Sequence, residues 1–526
     1  MRRCKTLRAV GAMALAAGLS GVAESYAETV IRYVPQADIN VLDPIVNKSP
    51  VVTQYGYMVY DQLFAVDGNY LPRPQMVDVY TASNDGKSYR FTLRTGVKFH
   101  DGAPVRAADA TTSIIRWAKG DPAGQKMMAA GMALEVVDDR TFAMTFEKPF
   151  RQAIEIMAKP SWPLFVYPER NNTKPNNVAN TDAIGSGPFK FVHTEWKPGS
   201  KIVFVKNPDY VPRNEPGDGY AGGKVVKVDR VEWNIIPDAN TAVSALRKGE
   251  VDIVESIPLD FAKALGSDPN VAVDVFNKIG LQAYLRFNNI QPPFNSQKIR
   301  QALLHMVNQE DYMRAMIGDE QFWRTCWAYM MCGSPNGSEV GADAYRKPDR
   351  EKAKQLLKEA GYHGEKVVVL TSTGIFAIQD EGQVLVQELR AVGMNVEEQQ
   401  MDFNTMLSRR LNTEGVEKGG WSIIPLWSFG PDLANPLTSQ MLTAPCAVKG
   451  WPGWACSPKL ESLVDEWALS EDDKAKRARA EEIQREAINL AATIPLGEFY
   501  QPVAYRKSLT GILTAPYPIM WNLEKR

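Results

Sequence analysis

Between residues 86 and 117 the order of apolar and polar positions changes its period. Tyr89, Phe91 and Leu93 alternate with Arg90, Thr92 and Arg94, which predicts a strand buried on one face. Gly96 interrupts the alternation, Val97 and Phe99 resume it, and Asp101, Gly102, Ala103 and Pro104 suit a turn. Ala110, Ile114 and Trp117 then recur at helical spacing, with Asp109 in the first turn, where a carboxylate meets the helix dipole favourably. The expected order is strand, turn, strand, turn, helix.

The same reading elsewhere predicts a mixed α/β chain. Residues 29–34, 142–146 and 228–235 alternate as strands, and 51–64 form an aromatic-rich helix. A helix over 238–249 has Asp238 or Asn240 as its cap and Gly249 as its stop, and leads into a strand over 251–254. One helix is expected over 298–317, burying Ile299, Leu303, Met306 and Val307, and another over 349–360. Residues 367–370, 379–392 and 395–401 read as a βαβ unit. Two helices over 459–492 precede a strand near Pro495. About 500 residues exceed what one core holds, so two or three lobes are expected.

The first 27 residues read as an export signal. Arg2, Arg3, Lys5 and Arg8 precede a small, apolar run, and Ser25-Tyr26-Ala27 offers a cleavage site; a cut after Ala23 is the alternative. No later run is long and apolar enough to cross a bilayer. Without residues 1–27, the 60 Lys and Arg against 61 Asp and Glu become 56 against 60, a net charge of −4. That near-balance argues against nucleic acid as a partner. Cys326, Cys332, Cys446 and Cys456 then remain, and disulfides between neighbours, Cys326 with Cys332 and Cys446 with Cys456, suit an oxidising compartment. A zinc site is the competing reading, with neither a matching spacing nor a nearby histidine.

Catalytic chemistry finds little support. The four histidines, His100, His193, His305 and His363, stand in no metal-binding spacing, and no GxSxG elbow is present. No motif calls for a cofactor. Binding chemistry has more: Trp421, Trp427 and Phe429 fall in a Gly- and Pro-broken segment beside Trp451 and Trp454, where rings can wall a pocket or sit in the core. Alternation places Tyr284, Arg286 and Asn288 on one face, so Arg286 meets either a ligand carboxylate or local carbonyl groups.

Particular motifs point further. Leu93-Arg94-x-Gly96-Val97-Lys98-Phe99-His100-Asp101-Gly102 resembles the signature of the family-5 extracellular solute-binding proteins, the receptors of peptide, nickel and opine ABC importers. Gly185-Ser186-Gly187-Pro188-Phe189-Lys190, Asn207-Pro208-Asp209-Tyr210, Pro292-Pro293-Phe294 and Ile494-Pro495-Leu496 follow in the family's order. The resemblance implies a two-lobed periplasmic-binding-protein fold. One lobe would take 28–60, 188–282 and 492–526, with an inserted subdomain at 61–187, and the second lobe 283–491. It also implies a monomer in the periplasm that binds a small-molecule ligand in the interlobe cleft and hands it to an ABC permease. Tyr55 and residues 40–43 are first-lobe cleft candidates by the same resemblance. A secreted hydrolase is the rival from another class. Peptide receptors of the family carry W-x-x-D here, the Asp pairing with the peptide's α-amino group. In this chain Trp427 is followed by Gly430 at that position, and Asp432 stands two residues on. The expected ligand is therefore an opine-like conjugate or a carboxylated or aromatic metabolite, with a di- or oligopeptide as runner-up.

Overall fold

The protein is described by a computed structural model covering residues 28–526 apart from 176, 374–375, 447–450 and 471. The expected export signal lies outside the described residues. Three sheets organise the chain. The first runs in the order Phe189–Phe191, Lys201–Lys206, Arg230–Asn234, Val30–Val34, Ile253–Val254, Pro502–Arg506, Val271–Val275. Val30–Val34 pairs in parallel with both of its neighbours. Between those two neighbours lies the helix Ala239–Lys248. Asp238 caps it by accepting from the Thr241 amide at 2.8 Å, and Gly249 ends it at φ 77°.

The second sheet has the order Trp323–Arg324, Thr493–Phe499, Leu281–Phe287, Ile423–Phe429, Lys366–Ser372, Asn395–Met401. Every residue of Leu281–Phe287 and of Thr493–Phe499 is buried, as strands covered on both faces must be. The expected βαβ unit is present: Lys366–Ser372 and Asn395–Met401 pair in parallel, with the helix Phe376–Ala391 between them in sequence. The chain passes between the two sheets twice, through 276–280 and through 500–501. This is the two-lobed α/β architecture. A smaller antiparallel sheet, Val77–Ala82, Ser88–Leu93, Thr141–Thr145, Ala133–Val136, stands beside the first.

Three expectations need correction. The helix expected over 51–64 ends at Val59, and Asp61–Gln62 and Phe64–Val66 are strands. Residues 97–99 form no second strand; only an isolated bridge joins Lys98 to Pro104. Their hydrogen bonds close a tight local turn, with the Phe99 amide donating to the Ala103 carbonyl at 2.8 Å and the Val105 amide to the Val97 carbonyl at 3.0 Å. The next residue leaves the turn, the His100 amide donating to the Gly185 carbonyl at 2.8 Å and its ring meeting the Gly187 carbonyl at 3.1 Å. Gly185 and Gly187 press on the backbone of Val59, where a Cβ at 185 would stand 2.0 Å from the carbonyl oxygen. His100 is therefore a half-buried latch, its pKa lowered to about 4 mainly by desolvation. The single helix expected over 298–317 is two, Gln297–Leu304 and Gln309–Met316. Tertiary partners take the backbone groups at the break: the His305 carbonyl accepts from Asp349, and the Asn308 amide donates to Glu388 at 3.2 Å.

Candidate functional site

The crossings and the strand beside them build the site. At the first crossing Gly280 adopts φ 81° and lies where a Cβ would meet the Phe499 carbonyl at 2.8 Å. Asn277 closes this turn by accepting from the Gly280 amide and donating to its carbonyl, and Tyr70 donates to Asn277 at 3.2 Å. The strand Ile423–Phe429 pairs antiparallel with Leu281–Phe287, so its end arrives at the same crossing.

There Phe429 and Trp427 are half-buried. The Phe429 ring lies 4.9 Å from Tyr517, a residue that follows the last strand of the first sheet, and 5.5 Å from Trp427. Gly430 donates to the Gly280 carbonyl at 2.9 Å. A Cβ on it would stand 2.3 Å from Ile279 Cγ2 and 2.8 Å from the Gly280 oxygen, so no aspartate fits at this position. Asp432 follows in the helical turn Gly430–Leu433 and is buried. Burial pushes its pKa up to about 6, opposed by Lys159 and Ser161. Lys159 in turn bonds Asp121 at 2.6 Å and lies over the Trp117 and Trp162 rings.

A file of rings and cations crosses between the lobes. Lys48 Nζ sits 4.5 Å from the Trp162 ring, Trp162 lies 5.9 Å from Trp451, and the Arg410 guanidinium lies 5.1 Å from the Trp451 ring. Burial lowers the pKa of Lys48 and of Arg410. A second interlobe contact pairs Lys126 with Glu461 at 3.2 Å and with Asp465 at 3.1 Å.

Beneath Trp451 the chain closes into a loop through the disulfide Cys446–Cys456, and Cys326 is joined to Cys332. Arg286 is buried under that loop. Its Nε donates to the Pro452 carbonyl at 2.8 Å and an Nη to the Gln440 carbonyl at 2.7 Å. Tyr284 is buried beside it, its hydroxyl 3.2 Å from Ser428 Oγ. Trp421 is fully buried, donating to the Arg410 carbonyl at 3.0 Å and packing on Trp454. Trp421 is thus a core ring.

Tyr55 is also a correction. It is enclosed by Tyr60, Phe191 and Phe204 in the first-lobe core, and among the described residues no ring of the second lobe reaches it. The structure thus brings Trp427, Phe429 and Asp432 to the lobe boundary, and sets Tyr284 and Arg286 behind the disulfide loop. Sequence reasoning missed Lys48, Lys159, Trp162, Arg410 and Tyr517. The usable signal was Trp451 within a short Cys-closed loop; the others stand alone in unremarkable stretches.

The sequence profile of the bacterial extracellular solute-binding proteins, family 5 (middle part), matches residues 72–449. The chain belongs to that family. A probable peptide ABC transporter periplasmic-binding protein, y4tO, from Sinorhizobium fredii (strain NBRC 101917 / NGR234) is 39% identical over 494 residues, 93% of this chain and 92% of its own. Two solved structures share the fold. The PBP AgaA in complex with agropinic acid, from A.tumefacien R10, aligns with TM-score 0.80 and 22% identity over 94% of this chain and 99% of its own. A dipeptide-binding protein from Pseudoalteromonas sp. SM9913, in complex with Met-Leu, aligns with TM-score 0.80 and 19% identity over 94% and 100%. Family 5 proteins are extracellular or periplasmic receptors that deliver small ligands to ABC permeases. The family is one of transport receptors and not of enzymes. Among the described residues no helix is long and apolar enough to cross a membrane.

Proposed function

We propose that this family-5 receptor is exported by residues 1–27, works as a periplasmic monomer, and captures a solute other than an ordinary free-amine peptide. The first lobe takes 28–60, 188–275 and 502–526 and carries the subdomain 61–187, against a second lobe of 281–499, so the expected bounds at 282/283 and 491/492 move to the crossings. Closure turns on the two crossings and creates the surface a permease recognises. The ligand is an opine-like conjugate, or a carboxylated or aromatic metabolite, held by Trp427, Phe429 and Arg286. Gly430 carries this reading. It fills the place of the amine-pairing aspartate and leaves no room for a side chain. A buried ammonium without a charged partner costs several kcal/mol, enough to remove useful affinity.

The peptide reading keeps one specific support: the relative at 39% identity bears a peptide-transporter name. Calorimetry with a mixed di- and tripeptide library, run beside opines and N-acylated amino acids, decides between them. We expect binding among the acids and conjugates. Sub-micromolar binding of an unmodified peptide, abolished by N-acetylation, would overturn the proposal.

A further inference from the structure

We infer that the buried Arg286 and the half-buried Arg410 form an anion subsite beneath Trp451, which takes a carboxylate group of the ligand. This rests on the reading of the interlobe cleft as the ligand site.

The argument begins with how buried arginines are satisfied elsewhere in this chain. Arg116 pairs with Asp43 at 2.8 Å, so its charge is neutralised. Arg300 has no acid partner, but all three of its donor nitrogens reach carbonyls, those of Phe294, Leu490 and Ala491. Arg286 follows neither pattern. It is 1% exposed, two of its nitrogens are bonded, and Nη2 is buried with no partner. Arg410 repeats this, with a buried Nε that has no partner. Among the described residues no carboxylate pairs with either guanidinium. Glu381, near Tyr284, is pushed well above the usual carboxylate range by burial and pairs with neither guanidinium.

Arg286 is buried and Arg410 half-buried, and the two like charges oppose each other. Arg286 is lowered to about 10, by desolvation first, with Arg410 adding to the effect. A single carboxylate relieves both costs, because its two oxygens accept from two guanidinium edges in charge-assisted bonds. The surroundings are polar where such an oxygen needs them to be, with the Tyr284 hydroxyl, Ser428 Oγ and the Gln440 side chain forming one network.

The cover of this subsite links it to closure. Trp451 is half-buried, with the Arg410 guanidinium near its ring on one side and Trp162 of the other lobe in contact with it. An acid group seated below draws Arg410 and holds the indole where the first lobe meets it. Arg410 is then the specificity-determining residue, and Trp451 the contact that reports the seated acid to the first lobe.

The test uses matched probes: N-acetyl amino acids and their C-terminal amides, differing only in the carboxylate. Calorimetry and thermal shift are run on the mature protein, on Arg410→Gln and on Arg410→Lys. Acids should bind the wild type on the order of tenfold to a hundredfold tighter than their amides, the scale of losing one partner of a buried charge pair. Arg410→Gln should bring the acid down to the amide's affinity and leave the amide unchanged, while Arg410→Lys keeps part of the preference. Equal binding of acid and amide by the wild type overturns the subsite, as does binding of neither. An equal loss of both in Arg410→Gln overturns it too. Acid preference that survives Arg410→Gln sinks the subsite and leaves the non-peptide reading intact. An unmodified peptide that binds through its carboxylate in an Arg410-dependent way does the reverse.

Discussion

Two buried cations, one in each lobe, are solved in opposite ways. In the first lobe Lys224 and Asp61 are both fully buried 2.8 Å apart, Tyr210 donates to the other carboxylate oxygen at 2.9 Å, and Trp521 lies 5.0 Å from the ammonium. Every charge there meets its opposite within the chain. In the second lobe Arg286 is as deeply buried, yet it has carbonyls for partners and one nitrogen without any. A closed network of this kind holds a fold together, whereas an open one waits for a partner from outside. Burial alone does not tell the two apart; the count of satisfied donors does.

The largest effect should come from breaking the closed network. Asp61→Asn leaves the Lys224 ammonium buried and unpaired, and should cost about 3–5 kcal/mol of stability in denaturant unfolding. If it unfolds like the wild type, the pair is not what holds that region. Arg286→Met should be milder, about 1–3 kcal/mol, because two carbonyls lose their donors but an uncompensated charge also disappears. A larger loss than that of Asp61→Asn would reverse the comparison. Trp427→Ala should leave folding nearly intact and weaken binding of the acid probes by about 1–3 kcal/mol in calorimetry. Unchanged affinity with a lower melting temperature would make that ring a core residue.

The smallest effect concerns Asp432. Its folded pKa is raised to about 6, above the ordinary carboxylate value, so the folded state holds the proton more tightly than the unfolded chain. Its contribution is therefore favourable in acid and is lost as pH rises through the window that ends near 6. Melting followed from pH 4 to 8 should show a fall of roughly a few degrees across that window, reduced in Asp432→Asn. Glu255, Glu388 and Glu498, raised to about 7 mainly by burial, extend the same slope upward and remain in the variant. An identical profile for Asp432→Asn would show that its carboxyl does not take part.

Much of the fold could be read from local pattern because local chemistry decides it. The helix from Asp238 to Gly249 is written in its own cap and stop, and the βαβ unit in the change of period between 367 and 401. Where distant groups compete for the backbone, pattern fails. The break between Leu304 and Gln309 depends on Asp349 and Glu388, which no window around residue 305 contains. The site was harder still. Tyr55 sits in an aromatic helix whose sequence is the same whether its rings face a core or a cleft. Trp162 and Trp451 meet only because two lobes come together, and nothing near either residue names the other. Gly430 was legible as an absence, but why no larger residue fits there depends on Ile279 and Gly280 across the sheet.

The order of strands in the first sheet bears on how this protein is made. Pro502–Arg506, near the chain's end, lies between Ile253–Val254 and Val271–Val275, two strands laid down far earlier. Until that strand arrives, the earlier two have no hydrogen-bonded contact with each other, and the first lobe has an open slot through its sheet. A chain threaded lengthwise across a membrane must stay unlocked until its tail is through. Here the keystone is delivered last, so a protein truncated before residue 502 should remain unlocked, prone to digestion and to pairing its open slot with a stranger's strand.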